Sequence, residues 1–534
     1  MPLLATKHIS IPNQDLISWC YSNRSSYDQD KPIYIDCADP SQTLSARQCY
    51  SLIRRLVAGL RNAGLKRGDV LVQAIIASGG CFVGTNPSYT AYELNHALKL
   101  SKAKLIIAEP ELLGAIAKPA AELGITRDRI FVFDAQDSKP TKGYSHWRSL
   151  LEYGEEDWTR FEDRESCEST TAFLMMSSGT TGLPKAARLS HSNLISQHTL
   201  VHSNPHHPET YPLSRICCLP LFHAAMAPYT HTSALRSGYP SYIMRRFDLI
   251  PYLENTEKFK ITSFLMVPPM VTAIVQLAET RPDFVRKCLR SLVSGGAGAA
   301  PLDPVMQGRM QGLMNEGSLF YQLWAMTETC CVASMTFWPN RVELGSVGRF
   351  LEGLDVKLVD EEGGEVDIGG GGRGEMCVRG PTVCRGYLDN GEANARDWDS
   401  EGYFHTGDVM LRDPKTELWY IVDRRKELIK VRGFQVAPAE IEGVLLAHPS
   451  VVDVAVIGVE IGGEEVPRAI VVVKTGEEVS ESDVKEWVAG RLAKYKWLNG
   501  GVRFVDAIPK TASGKILKRL LREEAKREGR EAKL

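Results

Sequence analysis

The stretch "TTAFLMMSSGTTGLPKAA" (170–187) runs from an apolar segment into a loop rich in serine, threonine and glycine. Its first part, 170–176, predicts a strand, and the loop that leaves this strand carries hydroxyl and backbone N–H groups that can converge on phosphate oxygens. It is not a Walker loop, because Leu-Pro separates Gly182 from Lys185 and no hydroxyl residue follows the lysine. Taken alone, such a turn is more often a solvated loop.

Length and composition limit the class of protein. A chain of 534 residues is too long for one hydrophobic core, so we expect two or more domains. Apolar residues make up 43% of the chain and charged residues 24%, as in an ordinary globular protein. No apolar run approaches the roughly 18 residues of a membrane span, and the N-terminal segment does not resemble a secretory leader. A formal net charge of -2 gives no reason to expect nucleic acid, so small molecules are the expected partners.

The chain opens with an α/β pattern. "PIYIDCA" (32–38) predicts a strand, and apolar residues at helical spacing then predict a helix that a capping box at Ser45 and Gln48 begins and Gly64 ends. Runs such as "KLIIA", "RIFVF" and "SYIMR" then alternate with helical patterns, which indicates parallel or mixed sheets covered by helices. The segment 355–380 changes to short alternating strands with glycine turns, typical of an antiparallel β unit in which glycines 369–372 form a hairpin connection.

A domain boundary is expected within "WYIVDRRKELIKVRGFQVAPAEIE" (419–442), where a strand runs into a charged stretch and a fresh α/β pattern begins. About a hundred residues remain, enough for a small separate domain. In them "VVDVAVIGV" and "PRAIVVVK" predict strands, with helices at 440–447 and 482–495. We therefore predict an N-terminal domain over 1–423 and a C-terminal domain over 424–534.

One connection is too short for this architecture. Strand-like "DVLVQAII" (69–76) reaches strand-like "CFVGTNP" (81–87) through only a few residues, whereas a parallel crossover needs a dozen or more. Either the connection is a hairpin or a helix is absent.

Several weaker motifs admit ordinary explanations. "GGAGAAPL" (295–302) is a partial G-x-G-x-x-G, but Pro301 stands at the third glycine, which argues against a dinucleotide site. Four histidines at suggestive intervals have no nearby cysteine or acidic ligand and are predicted to be solvated surface residues rather than zinc ligands: His198, His202, His206 and His207. The 12 cysteines form no C-x-x-C pair and are expected to be reduced, intracellular thiols.

Two further segments suit phosphate chemistry without establishing it. "WAMTETCC" places Thr327 beside Glu328, a hydroxyl next to a carboxylate, which suits magnesium held against phosphate oxygens. "IPKTASGKILKR" (508–519) carries three lysines, Lys510, Lys515 and Lys518, and charge alone does not distinguish it from a basic surface loop.

In chain order, "SSGTTGLPKAA", "PLFHAA", "GGAGAAPL", "QLWAMTET", "GSVG", "GYFHTGD", "DRRKELIKVRGFQVAPAEIE" and "IPKTASGKILKR" resemble the motif series of the adenylate-forming superfamily. Within it they resemble 4-coumarate–CoA ligase and fungal peroxisomal acyl-CoA ligases, over nearly the whole chain. The resemblance implies a large N-terminal domain of layered α/β sheets plus a small antiparallel β unit, followed by a small mobile α+β C-terminal domain. It also implies a reaction in which a carboxylate and Mg-ATP give an acyl-adenylate and pyrophosphate, and coenzyme A then displaces AMP.

The resemblance assigns roles to individual residues. The loop expected to hold the β- and γ-phosphates comprises Ser177, Ser178, Gly179, Thr180, Thr181, Gly182 and Lys185. Other nucleotide contacts are expected from Ala300, from Trp324 stacked on adenine, from Thr327 at the α-phosphate, from Glu328 through magnesium, and from Asp408 and Arg424 at the ribose hydroxyls. The acyl pocket is expected to involve His223, which is also a candidate catalytic residue, and Gly296, Ala297, Leu323 and Ala325.

The same resemblance implies that the C-terminal domain rotates between the two steps. Lys515 matches the lysine that bridges the substrate carboxylate and the α-phosphate, where a cation on a flexible stem can neutralise developing charge. Lys426 matches the hinge. Lys430 and Gln435 match residues near the nucleotide in the second conformation, and Gly433 lies where the pantetheine arm of coenzyme A passes.

The chain departs from the family at its acyl pocket. Leu323 and Ala325 stand where the family has glycines, so the pocket should differ in shape from one that binds coumarate. An aryl or medium-chain acid of fungal specialised metabolism or of peroxisomal acid catabolism is therefore expected. Two alternatives stay open: a stand-alone adenylation enzyme that loads a carrier protein, and an inactive ATP- or acyl-binding module, which the short connection motivates.

The chain closes with Ala532-Lys533-Leu534 after a charged segment, which resembles a C-terminal peroxisomal address. The peroxisomal import receptor is accordingly an expected partner, and the cytoplasm is the expected location otherwise.

Overall fold

The computed structural model describes residues 2–5, 7–65, 76–87, 89, 91–134, 141–177, 184–424, 427–431, 434–461, 464–511, 514 and 516–531. At 430, 434–435 and 529–531 only the backbone is described. The helices are α1 Leu16–Tyr21, α2 Ala46–Asn62, α3 Ala91–Ser101, α4 Leu113–Glu122, α5 Arg164–Ser169, α6 His191–Val201, α7 Ala234–Ser237, α8 Leu249–Lys258, α9 Pro268–Thr280, α10 Pro282–Leu289, α11 Pro304–Gln311, α12 Gly391–Asp397, α13 Pro438–Leu446, α14 Glu481–Ala489 and α15 Lys518–Glu531.

Strands occur along the whole chain. They are β1 Pro32–Asp36, β2 Thr43–Ser45, β3 Phe82–Val83, β4 Ile106–Ala108, β5 Ile130–Val132, β6 Ser145–His146, β7 Thr171–Ser177, β8 Lys185–Ser190, β9 Arg215–Cys217, β10 Ser241–Ile243, β11 Ser263–Met266, β12 Ser294–Ala297, β13 Leu319–Gln322, β14 Trp324–Met326, β15 Cys331–Met335, β16 Arg349–Phe350, β17 Asp355–Val359, β18 Arg373–Arg379, β19 Phe404–Arg412, β20 Trp419–Arg424, β21 Ile429–Val431, β22 Phe434–Val436, β23 Val451–Ile461, β24 Glu464–Val473 and β25 Val502–Phe504.

The predicted α/β opening is confirmed. The Ser45 side chain accepts from the Gln48 backbone N–H and the Gln48 side chain accepts from the Ser45 backbone N–H, so the capping box begins α2. Gly64, at φ +82°, follows the helix in a conformation that side chains rarely adopt.

The sheets of the N-terminal part combine parallel and antiparallel pairs, as predicted. Strands β1, β10 and β9 are parallel neighbours, and β11, β12 and β13 form a second parallel sheet. Strand β7 pairs antiparallel with β8 and parallel with β3. Because parallel strands end at a common edge, the sheet of β11 to β13 places three successive loops together.

The antiparallel β unit is also confirmed. Strands β17, β18, β19 and β20 form an antiparallel meander, and glycines 369–372 lie in the connection between β17 and β18. This unit leads directly to the predicted domain boundary, because β20 ends at Arg424.

The C-terminal part pairs β23 with β24 along their length and adds β25. Helices α13 and α14 supply Ile441, Leu445, Val484 and Val488 to its buried core. The helix predicted over 482–495 is too long: α14 ends at Ala489, since Gly490 follows with its low helix propensity, and Lys494–Lys496 forms a separate 3-10 turn.

The short connection falls largely on residues 66–75, outside the described residues. Its far end is described: β3 pairs Phe82 with Phe173, in the strand that leads to the glycine-rich loop. The choice between a hairpin and a missing helix therefore stays open. In the part of the chain that the structure describes, no helix is long and apolar enough to cross a membrane.

Candidate active site

The carboxyl ends of β11, β12 and β13 lie side by side, and β13 leads through Leu323 into β14 and the turn that follows it. Backbone hydrogen bonds continue this edge beyond the strands, since the Gly298 N–H donates to the Met266 carbonyl at 3.1 Å and the Leu323 N–H donates to the Ala297 carbonyl at 2.9 Å. Ligands of α/β proteins bind at such an edge.

The glycine-rich loop spans two paired strand ends. Ser177 closes β7 and Lys185 opens β8, and the two residues are direct antiparallel partners. The other loop residues predicted to hold phosphate lie outside the described residues: Ser178, Gly179, Thr180, Thr181 and Gly182. The two described ends therefore lie side by side in one ladder.

Glu328 ties the loop to the "TET" motif. Its Oε1 accepts a hydrogen bond from the Ser177 hydroxyl at 2.6 Å and another from the Tyr387 hydroxyl at 2.8 Å. The Glu328 residue is only 4% exposed. Within the described ranges its Oε2 accepts no hydrogen bond, so this oxygen is available to a cation. Thr327 is half-buried in the same turn.

Lys185 contacts the ring of Tyr387 and the carboxylate of Asp397. Its Nζ lies 2.9 Å from Asp397 Oδ2 and 4.0 Å from the centre of the Tyr387 ring. Burial, together with the negative charge of Glu328, raises the pKa of Tyr387, so its hydroxyl stays a donor at neutral pH. Sequence reasoning missed Tyr387 and Asp397, and neither belongs to a motif that could have indicated them.

Trp324, Asp408 and Arg424 form a second cluster. The Trp324 indole N–H donates to Asp408 Oδ2 at 2.7 Å, and Arg424 Nε lies 3.1 Å from Asp408 Oδ1. Asp408 and Arg424 are register partners on β19 and β20, so the antiparallel unit itself sets their distance. The predicted contacts of Trp324 with adenine and of the ion pair with ribose stay predictions.

Leu323 fills the space beside the glycines of β12. A Cβ on Gly296 would lie 2.9 Å from Leu323 Cδ2, and a Cβ on Gly298 would lie 2.6 Å from Leu323 Cδ1. Ala297 is buried next to them, and Ala325 and Ala300 are half-buried. The leucine thus projects where the family has a glycine.

His223 is half-buried in the turn that follows β9. Its Nδ1 accepts from the Ala225 backbone N–H at 3.2 Å, and burial lowers the pKa of the imidazole. The ring is therefore neutral at physiological pH.

The C-terminal part reaches the same edge. A Cβ on Gly514 would lie 3.1 Å from Pro269 Cγ and 3.6 Å from Val267 Cγ2, and Val267 directly follows β11. Three predicted residues lie outside the described residues, namely Lys515, Lys426 and Gly433, while Lys430 and Gln435 are described only as backbone partners in β21 and β22.

Two lysines near Gly514 in the sequence form ion pairs with carboxylates. Lys510 Nζ lies 2.6 Å from Asp453 Oδ2, and buried Lys518 lies 2.9 Å from Glu442. Asp423, which sequence reasoning missed, accepts from the Arg424 and Ala439 backbone N–H groups and so connects β20 to α13. Burial raises the pKa of Asp423 to about 7, against the opposing charge of Lys518.

The prediction that the four histidines are solvated is wrong for His198 and His202, which are buried. Helix α6 is buried along nearly its whole length and has no solvated face. His198 Nδ1 lies 2.8 Å from Ser233 Oγ, and His202 Nδ1 lies 2.8 Å from Glu209 Oε1. Among the described residues, no group of three or more histidine, cysteine, aspartate or glutamate side chains could hold a metal ion. All 12 cysteines are buried thiols rather than disulfides.

Comparison with known proteins places this site in a family. Residues 22–388 match the AMP-binding enzyme family, and residues 440–515 match the AMP-binding enzyme C-terminal domain. The predicted boundary between residues 423 and 424 lies between the two matches and stays a prediction.

Relatives match along nearly the whole chain. The phenylacetyl-CoA ligase epaB of Aspergillus niger is 46% identical over 97% of this chain and 98% of its own. The acyl-CoA ligase azaF of Aspergillus niger is 46% identical over 96% of this chain and 98% of its own. The ATP-bound MatB structure from Rhodopseudomonas palustris superimposes with a TM-score of 0.82 at 26% identity and covers 95% of this chain and 98% of that one. The chain therefore belongs to the AMP-binding enzyme family, in the adenylate-forming superfamily and among its acyl-CoA ligases.

Proposed function

We propose that this protein joins a carboxylic acid to coenzyme A in two steps. In the first step a carboxylate oxygen of the acid attacks the α-phosphorus of ATP, the bond to pyrophosphate breaks, and an acyl-adenylate forms. In the second step the thiol of coenzyme A attacks the acyl carbon and AMP leaves. The first step is needed because a free carboxylate does not lose oxide, whereas a mixed anhydride loses AMP readily.

The observation that carries the proposal is the 2.6 Å hydrogen bond from Ser177 to Glu328. It joins the end of the glycine-rich hairpin to the Thr327–Glu328 turn. Ser177, which would hold the departing pyrophosphate, therefore lies beside the Glu328 carboxylate, which would face the magnesium ion. Lys185 adds a cation at the same strand end, suited to phosphate as a point charge.

Mg²⁺ fits this site by the chemistry of its donors. Glu328 offers a carboxylate oxygen that has no donor among the described residues, and the ion prefers one or two carboxylates together with substrate phosphates. Bound Mg²⁺ would be held by Glu328 and ATP oxygens, and it would neutralise phosphate charge. Glu328→Gln tests this assignment, as described in the Discussion.

The Asp408 and Arg424 pair supports the ribose assignment. A carboxylate has about four lone-pair sites, and the two described donors leave Asp408 able to accept from two ribose hydroxyls. Arg424 holds that carboxylate in its orientation.

Lys515 is proposed to neutralise charge at the reacting carboxylate and the α-phosphate. What supports this is its neighbour Gly514, which packs on Pro269 at the edge of the site. We expect Lys515→Ala to abolish adenylate formation but to spare thioester formation from a pre-made acyl-adenylate. The matched control is Lys510→Ala, since Lys510 is already neutralised by Asp453. Equal loss of both half-reactions in Lys515→Ala would contradict the role.

An aryl or medium-chain acid is the proposed substrate class. The 46% identical phenylacetyl-CoA ligase of Aspergillus niger supports an aryl acid, while Leu323 narrows the space that the family's glycine leaves open. Pyrophosphate release is measured with a panel of arylacetates, cinnamates and medium-chain acids, with and without coenzyme A. We expect acid-dependent release and thioester formation with at least one of them.

The same panel separates the alternatives. Pyrophosphate release without any acyl-CoA would indicate a stand-alone adenylation enzyme that loads a carrier protein. No ATP consumption with any acid would indicate an inactive binding module, and either result would overturn the proposal.

We also propose that Ala532-Lys533-Leu534 directs the protein to peroxisomes through the import receptor. A fluorescent protein fused to the N-terminus should then be found in peroxisomes, and the same fusion with residues appended after Leu534 should stay cytosolic. Import of both fusions would contradict the address.

A further inference from the structure

A cavity of about 60 Å³ lies behind Leu323. Its lining includes Leu323 and Tyr321 from the end of β13 and the loop after it, and Tyr229 from the π-helical turn Tyr229–Ser233. Leu323 also lies against Gly296, a predicted acyl-pocket residue, and against Gly298 just after β12. Leu323 is therefore next to both the candidate acyl pocket and this cavity.

Polar and charged side chains also line the cavity. Arg215, at the start of β9, lines it together with His202 and Glu209. The Arg215 guanidinium lies 4.8 Å from the centre of the Tyr229 ring, and its Nε donates to Ser263 Oγ at 3.3 Å. A partly buried cation needs a partner, because burying a charge is costly unless another group receives it.

Arg215 has capacity for a further partner. Its Nη1 lies 3.5 Å from His202 Nε2, and among the described residues no carboxylate lies within salt-bridge distance of the guanidinium. Of its five N–H donors, the described hydrogen bonds use only those at Nε and Nη1, so those at Nη2 remain.

The charge of the cluster is nevertheless balanced. Glu209 Oε1 lies 2.8 Å from His202 Nδ1, and the pKa of Glu209 is lowered, because the hydrogen bond from His202 and the charge of Arg215 outweigh the effect of burial. Burial also lowers the pKa of His202, so this imidazole is neutral. One cation and one anion thus flank a neutral ring, and a second carboxylate would add uncompensated negative charge. A neutral oxygen acceptor fits this balance.

The volume of the cavity limits the size of the group that it can hold. An apolar cavity of about 150 Å³ holds one benzene molecule, so a cavity of about 60 Å³ holds a terminal substituent rather than a whole acid.

We propose, on the basis of the acyl-CoA ligase function above, that the acid activated by this protein carries a neutral oxygen group remote from its carboxylate. This hydroxyl, methoxy or carbonyl oxygen passes Leu323 and accepts a hydrogen bond from Arg215.

The first test compares acids that differ only in that oxygen. Pyrophosphate release by the full-length protein gives kcat/KM for phenylacetate against its 2-, 3- and 4-hydroxy and methoxy derivatives. The same assay compares hexanoate, octanoate and decanoate with their ω-hydroxy forms. We expect at least one oxygenated acid to exceed its parent by about tenfold or more, because a site built to hydrogen-bond a substrate rejects the analogue that lacks the group.

The second test removes the guanidinium. Arg215→Met keeps an unbranched stem and should lower kcat/KM for the preferred oxygenated acid about tenfold more than for its parent. Arg236→Met is the matched control, because Arg236 is also half-buried and stacks 4.9 Å from the Trp19 ring but does not line the cavity. It should leave the ratio unchanged. If Arg215→Met does not fold, the ratio of kcat/KM for the oxygenated acid to kcat/KM for its parent is measured with Arg215→Lys, which keeps the charge and loses the planar guanidinium.

The outcomes are distinct. Pyrophosphate release with parent and oxygenated acids at equal kcat/KM would overturn this inference and leave the acyl-CoA ligase function intact. An unchanged preference in the Arg215 variant would also overturn it. No release with any acid would instead contradict the proposed function itself.

Discussion

Tyr387→Phe removes one oxygen atom from the centre of the candidate site. The Tyr387 hydroxyl donates to Glu328 Oε1 at 2.8 Å, and both residues are only 4% exposed. Phenylalanine keeps the ring that lies 4.0 Å beneath Lys185 Nζ and 5.4 Å from the Trp398 ring. The substitution therefore isolates one charge-assisted hydrogen bond with almost no change in packing.

The magnitude follows from the charge of the acceptor. A hydrogen bond to a charged group contributes about 1.5 to 3 kcal/mol, whereas a neutral one contributes about 0.5 to 1.5 kcal/mol. With a urea m-value of about 3 kcal/mol/M, the unfolding midpoint should fall by about 0.5 to 1 M. If Glu328 is also less well held against ATP, kcat/KM for ATP should fall by about 10-fold and by no more than about 150-fold, the equivalent of the same free energy.

The matched control is Tyr34→Phe. The Tyr34 hydroxyl donates to the neutral Thr230 carbonyl at 2.6 Å, and neither residue is among the predicted ATP contacts. Urea denaturation and ATP-dependent pyrophosphate release are measured for both variants and the wild type. Tyr34→Phe should show the smaller loss of stability and unchanged kinetics for ATP. A Tyr387 variant no less stable than the Tyr34 variant, with wild-type kinetics, would refute the reasoning.

Three further predictions concern charge. Glu328→Gln keeps the shape of the side chain and one acceptor oxygen but loses the negative charge, so the rate of adenylation should fall by about 100-fold or more and should depend only weakly on the Mg²⁺ concentration. Full activity in a magnesium titration would be inconsistent with the assignment. Lys185→Met removes the cation beside Asp397 and should raise KM for ATP about tenfold, whereas an unchanged KM would show that this lysine does not contact phosphate. Burial lowers the pKa of His231 to about 4 from its ordinary 6.5. Between pH 6.5 and pH 4 the unfolded chain therefore binds a proton that the folded chain does not, and the free energy of unfolding falls as the pH falls through this range. At pH 5 the loss relative to pH 7 is about 2 kcal/mol, and His231→Gln should reduce the pH dependence of urea unfolding; an identical slope would contradict this account.

Local features of the fold could be predicted from the sequence. The capping box that begins α2, the strands of the antiparallel unit with glycines 369–372 between two of them, and the strand that enters the glycine-rich loop all appear as expected. Each depends on residues close together in the chain, where side-chain chemistry and periodicity act directly. The family itself was recognisable for the same reason, since its motifs are short continuous segments.

Burial was harder to predict. His198 and His202 were expected on the surface, but α6 is surrounded by other elements, and nothing in its own sequence reports what those elements cover. The end of α14 was likewise extended too far, because apolar spacing continues beyond Gly490.

The sequence by itself determined the family, the order of the motifs and the residues expected to meet ATP, because these are properties of continuous segments. Only the tertiary structure decided which side chains complete the site. Ser177 and Tyr387 lie 151 and 59 residues from Glu328 along the chain, yet both donate to the same carboxylate oxygen. Arg215 in β9 and Leu323 between β13 and β14 are likewise far apart in the chain, yet they line one cavity. Such meetings depend on how sheets and helices pack, and packing is a property of the whole chain rather than of any segment.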